Sequence, residues 1–230
     1  MLLGHEKINF LYLPTPLERL NNLSQDLGIN LYIKRDDLTP LAMGGNKLRK
    51  LEYLLADAKK QGATMLLTVG GAQTNHGRLT CAVARKYGLK AAIVCIDDYP
   101  GELSANLLLD GMMGCDVWLR KPDPTGRKSE AQLFDETVAA ITARYTAQGE
   151  KVYYIPIGGS NELGILGYYE CAQELAKQAD KMGLINGPDL KKFPRVVATV
   201  GSMGTYMGLF TGIFLENLPL RLTGIGISPK

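Results

Sequence analysis

Apolar residues fall in short runs bounded by Gly, Pro, Asn and Asp, and between the runs lie longer stretches in which they recur every three or four positions. The runs at 31–34, 65–69, 91–96, 117–119, 152–155, 196–200 and 222–227 predict strands. The intervals at 46–60, 75–87, 102–113, 128–147, 161–181 and 205–215 predict helices. In the first of these, Leu48, Leu51, Leu54, Leu55 and Ala58 share one helical face. Strands that are apolar almost throughout and alternate with helices predict a parallel sheet covered on both sides, the α/β class. Residues 121–126 (KPDPTG) break the pattern and 186–194 form a polar connection. The last run reads as a buried parallel strand, which ordinarily feeds a crossover helix and a further strand. The chain stops at Lys230, so either this strand is the last of its sheet or the chain is a fragment.

Three glycine-bearing loops sit at predicted helix starts. The first, Gly44-Gly45-Asn46-Lys47-Leu48-Arg49-Lys50, offers Asn46 as an N-cap and then crowds three cations into the first turn. Each costs roughly 0.3–1 kcal/mol against the helix dipole. Either Asp36, Asp37 or solvent offsets the charge, or at least one lysine is not kept as an ammonium. A lysine at a positive helix end favours its neutral amine, the form that attacks an aldehyde. Lys47, directly after the turn, is the candidate; Arg49 and Lys50 are expected at the surface or on an anion.

The second loop, Gly70-Gly71-Ala72-Gln73-Thr74-Asn75-His76, leaves a strand and opens a helix, where backbone N–H groups suit a carboxylate. Thr74 or Asn75 would serve as a plain N-cap, yet three adjacent hydrogen-bonding side chains exceed what a cap requires. The third, Gly201-Ser202-Met203-Gly204-Thr205, places glycines and hydroxyls where a phosphate would lie. Its glycines do not have the GxGxxG spacing of a dinucleotide fold, and no GxxxxGK[ST] occurs. A fourth turn of this type is Gly158-Gly159-Ser160-Asn161. An amine, a carboxylate loop and a phosphate loop are what pyridoxal 5′-phosphate and an amino-acid substrate require.

Composition narrows the alternatives. With 26 Lys and Arg against 23 Asp and Glu in 230 residues, the net charge of +3 leaves no footprint for nucleic acid. There is no apolar run long enough for a membrane helix, and His5, Glu6 and Lys7 interrupt any signal peptide, so a cytoplasmic protein is expected. The 4 cysteines are too widely spaced for CxxC, and 2 histidines exclude a polyhistidine metal site; no metal is expected.

Ile33-Lys34-Arg35-Asp36-Asp37, followed by Gly44-Gly45-Asn46-Lys47-Leu48-Arg49-Lys50-Leu51-Glu52, closely resembles the D-cysteine desulfhydrase / 1-aminocyclopropane-1-carboxylate (ACC) deaminase family. This is a branch of the tryptophan-synthase-β-like (fold type II) pyridoxal-phosphate enzymes. Pro14-Thr15-Pro16-Leu17, Gly71-Ala72-Gln73-Thr74-Asn75-His76, Asn106-Leu107-Leu108-Leu109-Asp110 and the stretch at 155–164 are similar to that family too. The resemblance implies two domains, each with a mostly parallel sheet flanked by helices. The smaller, inserted domain would span 48–157; 1–47 and 158–230 would form an incomplete larger domain, with the cofactor between them.

By the same resemblance, Lys47 is the Schiff-base lysine and proton-transfer base, and Thr74 is catalytic with it. Asn75 contacts the pyridoxal ring oxygen, and Thr74, Asn75 and His76 hold the substrate carboxylate. Gly201, Ser202, Met203, Gly204 and Thr205 take the cofactor phosphate. The family usually has Ser at Thr74, whose extra methyl would narrow the site, and His76 looks more like the desulfhydrase side, where the deaminases have Gln. The implied activity is a carbon–sulfur lyase cleaving D-cysteine to pyruvate, sulfide and ammonia, in a homodimer. ACC deaminase and L-cysteate sulfo-lyase are the alternatives within the family, and a catalytically incomplete fragment is the alternative outside it.

Overall fold

A computed structural model describes residues 1–98, 103–185 and 187–227. Glu102 and Asn186, where a predicted helix and a predicted connection begin, lie outside them. In chain order the elements are β1 (Leu17–Arg19), α1 (Asn21–Leu27), β2 (Tyr32–Lys34), α2 (Lys47–Lys60), β3 (Met65–Gly70), α3 (Asn75–Lys86) and β4 (Lys90–Ile96). They continue with α4 (Ala105–Met112), β5 (Asp116–Arg120), α5 (Glu130–Ala147), β6 (Val152–Ile155), α6 (Leu166–Lys181), β7 (Arg195–Val200), α7 (Gly204–Leu215) and β8 (Arg221–Gly226). The chain divides into two compact units: Met1–Asn9 with Leu51–Gly159, and Phe10–Lys50 with Ser160–Lys230.

The first unit holds a four-stranded parallel sheet in the order β5-β4-β3-β6. Side chains alternate faces along a strand. Met65, Leu67 and Val69 of β3 and Ala92, Val94 and Ile96 of β4 meet Leu133, Phe134, Ile141 and Tyr145 of α5. The alternate positions face α3: Thr68 bonds His76, and Ile93 packs against Gly77. Every residue of β3 is therefore buried, as its nearly continuous apolar run predicts.

The second unit holds an antiparallel pair, β1-β2, and a parallel pair, β7-β8. Tyr168, Cys171, Ala172, Leu175 and Ala176 of α6, Leu209 of α7 and Leu220 form its core, with Val196, Ala198 and Leu222 against it. Here the expectation of strands covered on both faces is only half met. The other face of the pair carries Val197 at 63% and Ile225 at 51% exposure. With two strands and helices against one face, only one side is covered.

Helix α6 starts at Leu166 rather than at 161. Asn161 folds its side chain back, its Oδ1 accepting from Gly164 N at 2.8 Å, and so holds the intervening residues as a turn.

Candidate active site

In the second unit the chain enters α2 through a turn that only glycine allows at 44. Gly44 has φ +71°, and an added Cβ would lie 2.0 Å from the Asp37 carbonyl oxygen. Thr39 clamps the turn, its Oγ1 accepting from Gly45 N at 2.8 Å and donating to Asp36 O at 2.9 Å. The three cations of the first turn then separate. Arg49 is 1% exposed and forks onto Asp36 through Nε and Nη2, each at 2.9 Å. It also reaches both oxygens of Glu174 at 3.0 Å. Burial alone would raise the Asp36 carboxyl, but the Arg49 guanidinium outweighs it, helped by the Tyr168 and Thr15 hydroxyls, and holds it below the usual range. Lys34 closes the network onto Glu174. The expectation that Arg49 lies at the surface or on a ligand anion is thus corrected: it is a buried structural ion pair.

Lys47 is half-buried, with Nζ 2.9 Å from Asn46 Oδ1, and no carboxylate pairs with it among the described residues. Burial pushes its amine below the ordinary lysine value. Lys50 is buried; burial, and then the charge of Lys47, bring it down to about 7. Its Nζ is 3.4 Å from Ser160 Oγ, which is 2.9 Å from Ser202 Oγ. The Asn46 side chain, expected as a cap, is instead taken up by Lys47 and by Thr205 Oγ1, 3.2 Å from its Nδ2.

The loop from Gly201 turns at Met203, which has φ +63°, into the N-terminus of α7. At Gly204 an added Cβ would lie 2.4 Å from Ser160 Oγ and 2.7 Å from Lys50 Nζ. The loop thus presents backbone and hydroxyls beside a buried amine, and that combination suits a phosphate. The sequence alone gives Ser160 no role and marks Lys50 only as a surface or anion contact. The signal for Ser160 was its Gly158-Gly159 turn, which repeats the pattern of the phosphate loop.

In the first unit Thr74 is the N-cap of α3, its Oγ1 accepting from Gly77 N at 3.2 Å. Its methyl is directed at the helix, 2.4 Å from where a Cβ of Gly77 would stand; an added Cβ at Gly70 would lie 2.6 Å from Oγ1. The two glycines make room for the threonine. His76 is buried at 4% exposure, with Nε2 2.8 Å from Thr68 Oγ1. That hydroxyl donates its one proton to Ile155 O at 2.8 Å, so it accepts from His76 and Nε2 carries the hydrogen. The imidazole expected on a substrate carboxylate therefore points into the sheet; His76 has only its backbone to offer at the helix mouth. Asn75 is exposed there, its Oδ1 accepting from Asn106 Nδ2 at 3.0 Å and Arg78 Nη2 at 3.4 Å.

A buried amine of lowered basicity, beside a hydroxyl-lined helix start that suits a phosphate, defines an α/β protein built to hold a phosphorylated aldehyde. The chain belongs to the pyridoxal-phosphate dependent enzyme family, whose family model matches residues 8–229. It is 41% identical over 219 residues to a Thermotoga maritima protein provisionally named 1-aminocyclopropane-1-carboxylate deaminase, covering 94% of this chain and 64% of that one. It is 42% identical over 223 residues to the D-cysteine desulfhydrase of Serratia proteamaculans, covering 94% and 62%. A crystal structure of an ACC deaminase homologue superimposes with a TM-score of 0.84 at 34% identity, over 98% of this chain and 64% of that one. The chain thus spans less than two thirds of the length of these relatives. The residues fit the family's cofactor: Lys47 would supply the amine, and Lys50, Ser160, Ser202 and Gly204 line a space, fit for a phosphate, that any side chain at 204 would fill.

Proposed function

We propose that the chain carries the cofactor-binding and proton-transfer parts of a pyridoxal-phosphate dependent lyase that cleaves D-cysteine to pyruvate, sulfide and ammonia. The observation that carries this reading is Lys47: a half-buried amine of lowered basicity in the same unit as the Gly201–Thr205 loop. Bound pyridoxal phosphate supplies an aldehyde that captures amines and a ring that withdraws electrons from the adjacent carbon. Lys47 holds the aldehyde end. Lys47, as an amine of lowered basicity, would also be the base that takes the proton from the substrate α-carbon. Asn46 steers Nζ through its Oδ1. Lys50, with Ser160, Ser202 and the N–H groups opening α7, would hold the phosphate. In the first unit, the N-terminal mouth of α3, with Thr74 and Asn75, would suit a carboxylate. D-Cysteine and water balance pyruvate, hydrogen sulfide and ammonia, with no oxidant required.

ACC deamination is the second reading, favoured by the T. maritima relative and the superimposed crystal structure. The identity of residue 76 does not separate the two, because its imidazole faces Thr68. A cytoplasmic setting is supported by four buried, unbridged cysteines, and no helix among the described residues is long and apolar enough to cross a membrane. The homodimer rests on the family resemblance and is checked by sedimentation.

The test is to load the purified chain with pyridoxal phosphate and assay both substrates. Visible absorbance, sulfide and pyruvate from D-cysteine, and loss of all three in Lys47→Ala are expected. 2-Oxobutyrate from ACC without sulfide from D-cysteine selects the second reading. A protein that stays colourless with added cofactor overturns both.

A further inference from the structure

Asn75 sits at the exposed mouth of α3, and its side chain is gripped from behind by two donors. Arg78 lies one turn along the same helix and, at 6% exposure, is buried. Asn106 stands at the start of α4. A guanidinium can only donate, so the group of Asn75 facing it is the oxygen. The orientation of Asn106 is fixed in the same way. Its Nδ2 lies 2.8 Å from the backbone carbonyl of Gln73, which can only accept, so the NH2 group is the one that faces Gln73 and Asn75.

Two amide orientations are therefore set by chemistry. With its oxygen turned inward on two donors, Asn75 turns its own NH2 away from them. Further contacts hold the pair of helices. Gln73 Oε1 accepts from Asn106 N at 2.9 Å, and its Nε2 donates to Ser104 O at 3.2 Å. Ala105, between them, has φ +45°, a conformation that needs such support. Asp110, one turn after Asn106 on α4, is 1% exposed, and its charge partly offsets the effect of burial on Arg78.

We infer that Asn106 and Arg78 are positioning residues, which lock the Asn75 amide so that a hydrogen-bond donor, and never the oxygen, is presented at the mouth of α3. The group that Asn75 meets is accordingly an acceptor, such as the ring oxygenate of the cofactor or a carboxylate. The naming of that acceptor rests on the function proposed above; the locked amide does not.

Asn106→Asp keeps the size of the side chain and replaces the donor by an acceptor. In nitrogen-15 spectra of the cofactor-free protein, the Asn75 NH2 pair is identified by its loss in Asn75→Asp. It should shift strongly in Asn106→Asp, and affinity for pyridoxal phosphate should fall about tenfold, the effect of one misdirected hydrogen bond. Gln73→Ala removes the side-chain clasp on α4 but leaves the Gln73 carbonyl and the Asn106–Asn75 bond, so it should leave the pair in place. If Asn106→Asp does not fold, Asn106→Ala, without the repelling carboxylate, carries the same expectation. An Asn75 pair that is unmoved by the change at 106, or moved equally by Gln73→Ala, overturns the inference. A wild-type chain that takes up no pyridoxal phosphate overturns the functional reading and leaves the spectral result standing.

Discussion

Lys47, Arg49 and Lys50 share one helical turn, and each answers the adverse dipole differently. Arg49 stays charged because Asp36 and Glu174 surround it. Lys50 gives up part of its charge, its value falling to about 7 through burial and the neighbouring Lys47. An unfolded lysine titrates near ~10.4. Between these values the unfolded chain holds a proton that the folded chain does not, so stability decreases as pH falls from about 10 towards about 7. Urea unfolding of cofactor-free protein at several pH values should show this slope, and Lys50→Met should flatten it. The same substitution should abolish the rise in melting temperature that inorganic phosphate gives the wild type, if Lys50 meets that anion. The sequence posed the problem of these cations correctly and left two answers open. For Arg49 the first answer holds, through Asp36 and through Glu174, 125 positions away, a partner that only folding supplies.

At the scale of elements, most strands and helices were legible because each has an apolar run or stripe and a turn residue at its end. Helix α1 was not, since only Ser24 in it is buried and no stripe marks it. Strand β1 is three residues long and equally silent. What sequence periodicity also missed is how closely the helices approach. On α6, an added Cβ at Gly167 would stand 2.3 Å from the Arg49 carbonyl, so the first turn of α2 rests directly on α6. On α7, Gly208 would meet the Ile165 carbonyl at 2.3 Å, and Gly212 the Tyr169 carbonyl at 2.8 Å. Backbone cannot move aside as a side chain can, so Gly208→Ala should destabilise the protein by about 1–3 kcal/mol. Gly111→Ala, in α4 with nothing within 4 Å of the new methyl, should be neutral or stabilising by up to ~1 kcal/mol. Thermal melts of the two variants check the pair, and equal losses would refute the close-approach argument.

For the molecule as a whole, each unit has a core of its own, but the two differ in how fully their sheets are covered. In the second, Tyr206, Phe210 and Phe214 stack along α7, the last at 68% exposure, with Val197 and Ile225 also open. Apolar surface of this kind drives association. Light scattering should show concentration-dependent self-association of the chain, and Phe210→Lys with Phe214→Lys should reduce it without a large change in melting temperature.

By itself the sequence determined the α/β class, the strand–glycine–helix turns and the candidacy of Lys47, because periodicity, glycine and helix-end electrostatics act over a few residues. It could not determine which way a side chain turns once the helices pack. That His76 faces the sheet, that Arg49 is structural, and that Ser160 and Lys50 stand beside Gly204 were settled by contacts that only folding makes. Burial and hydrogen-bond completion, satisfied only in the folded chain, made those choices.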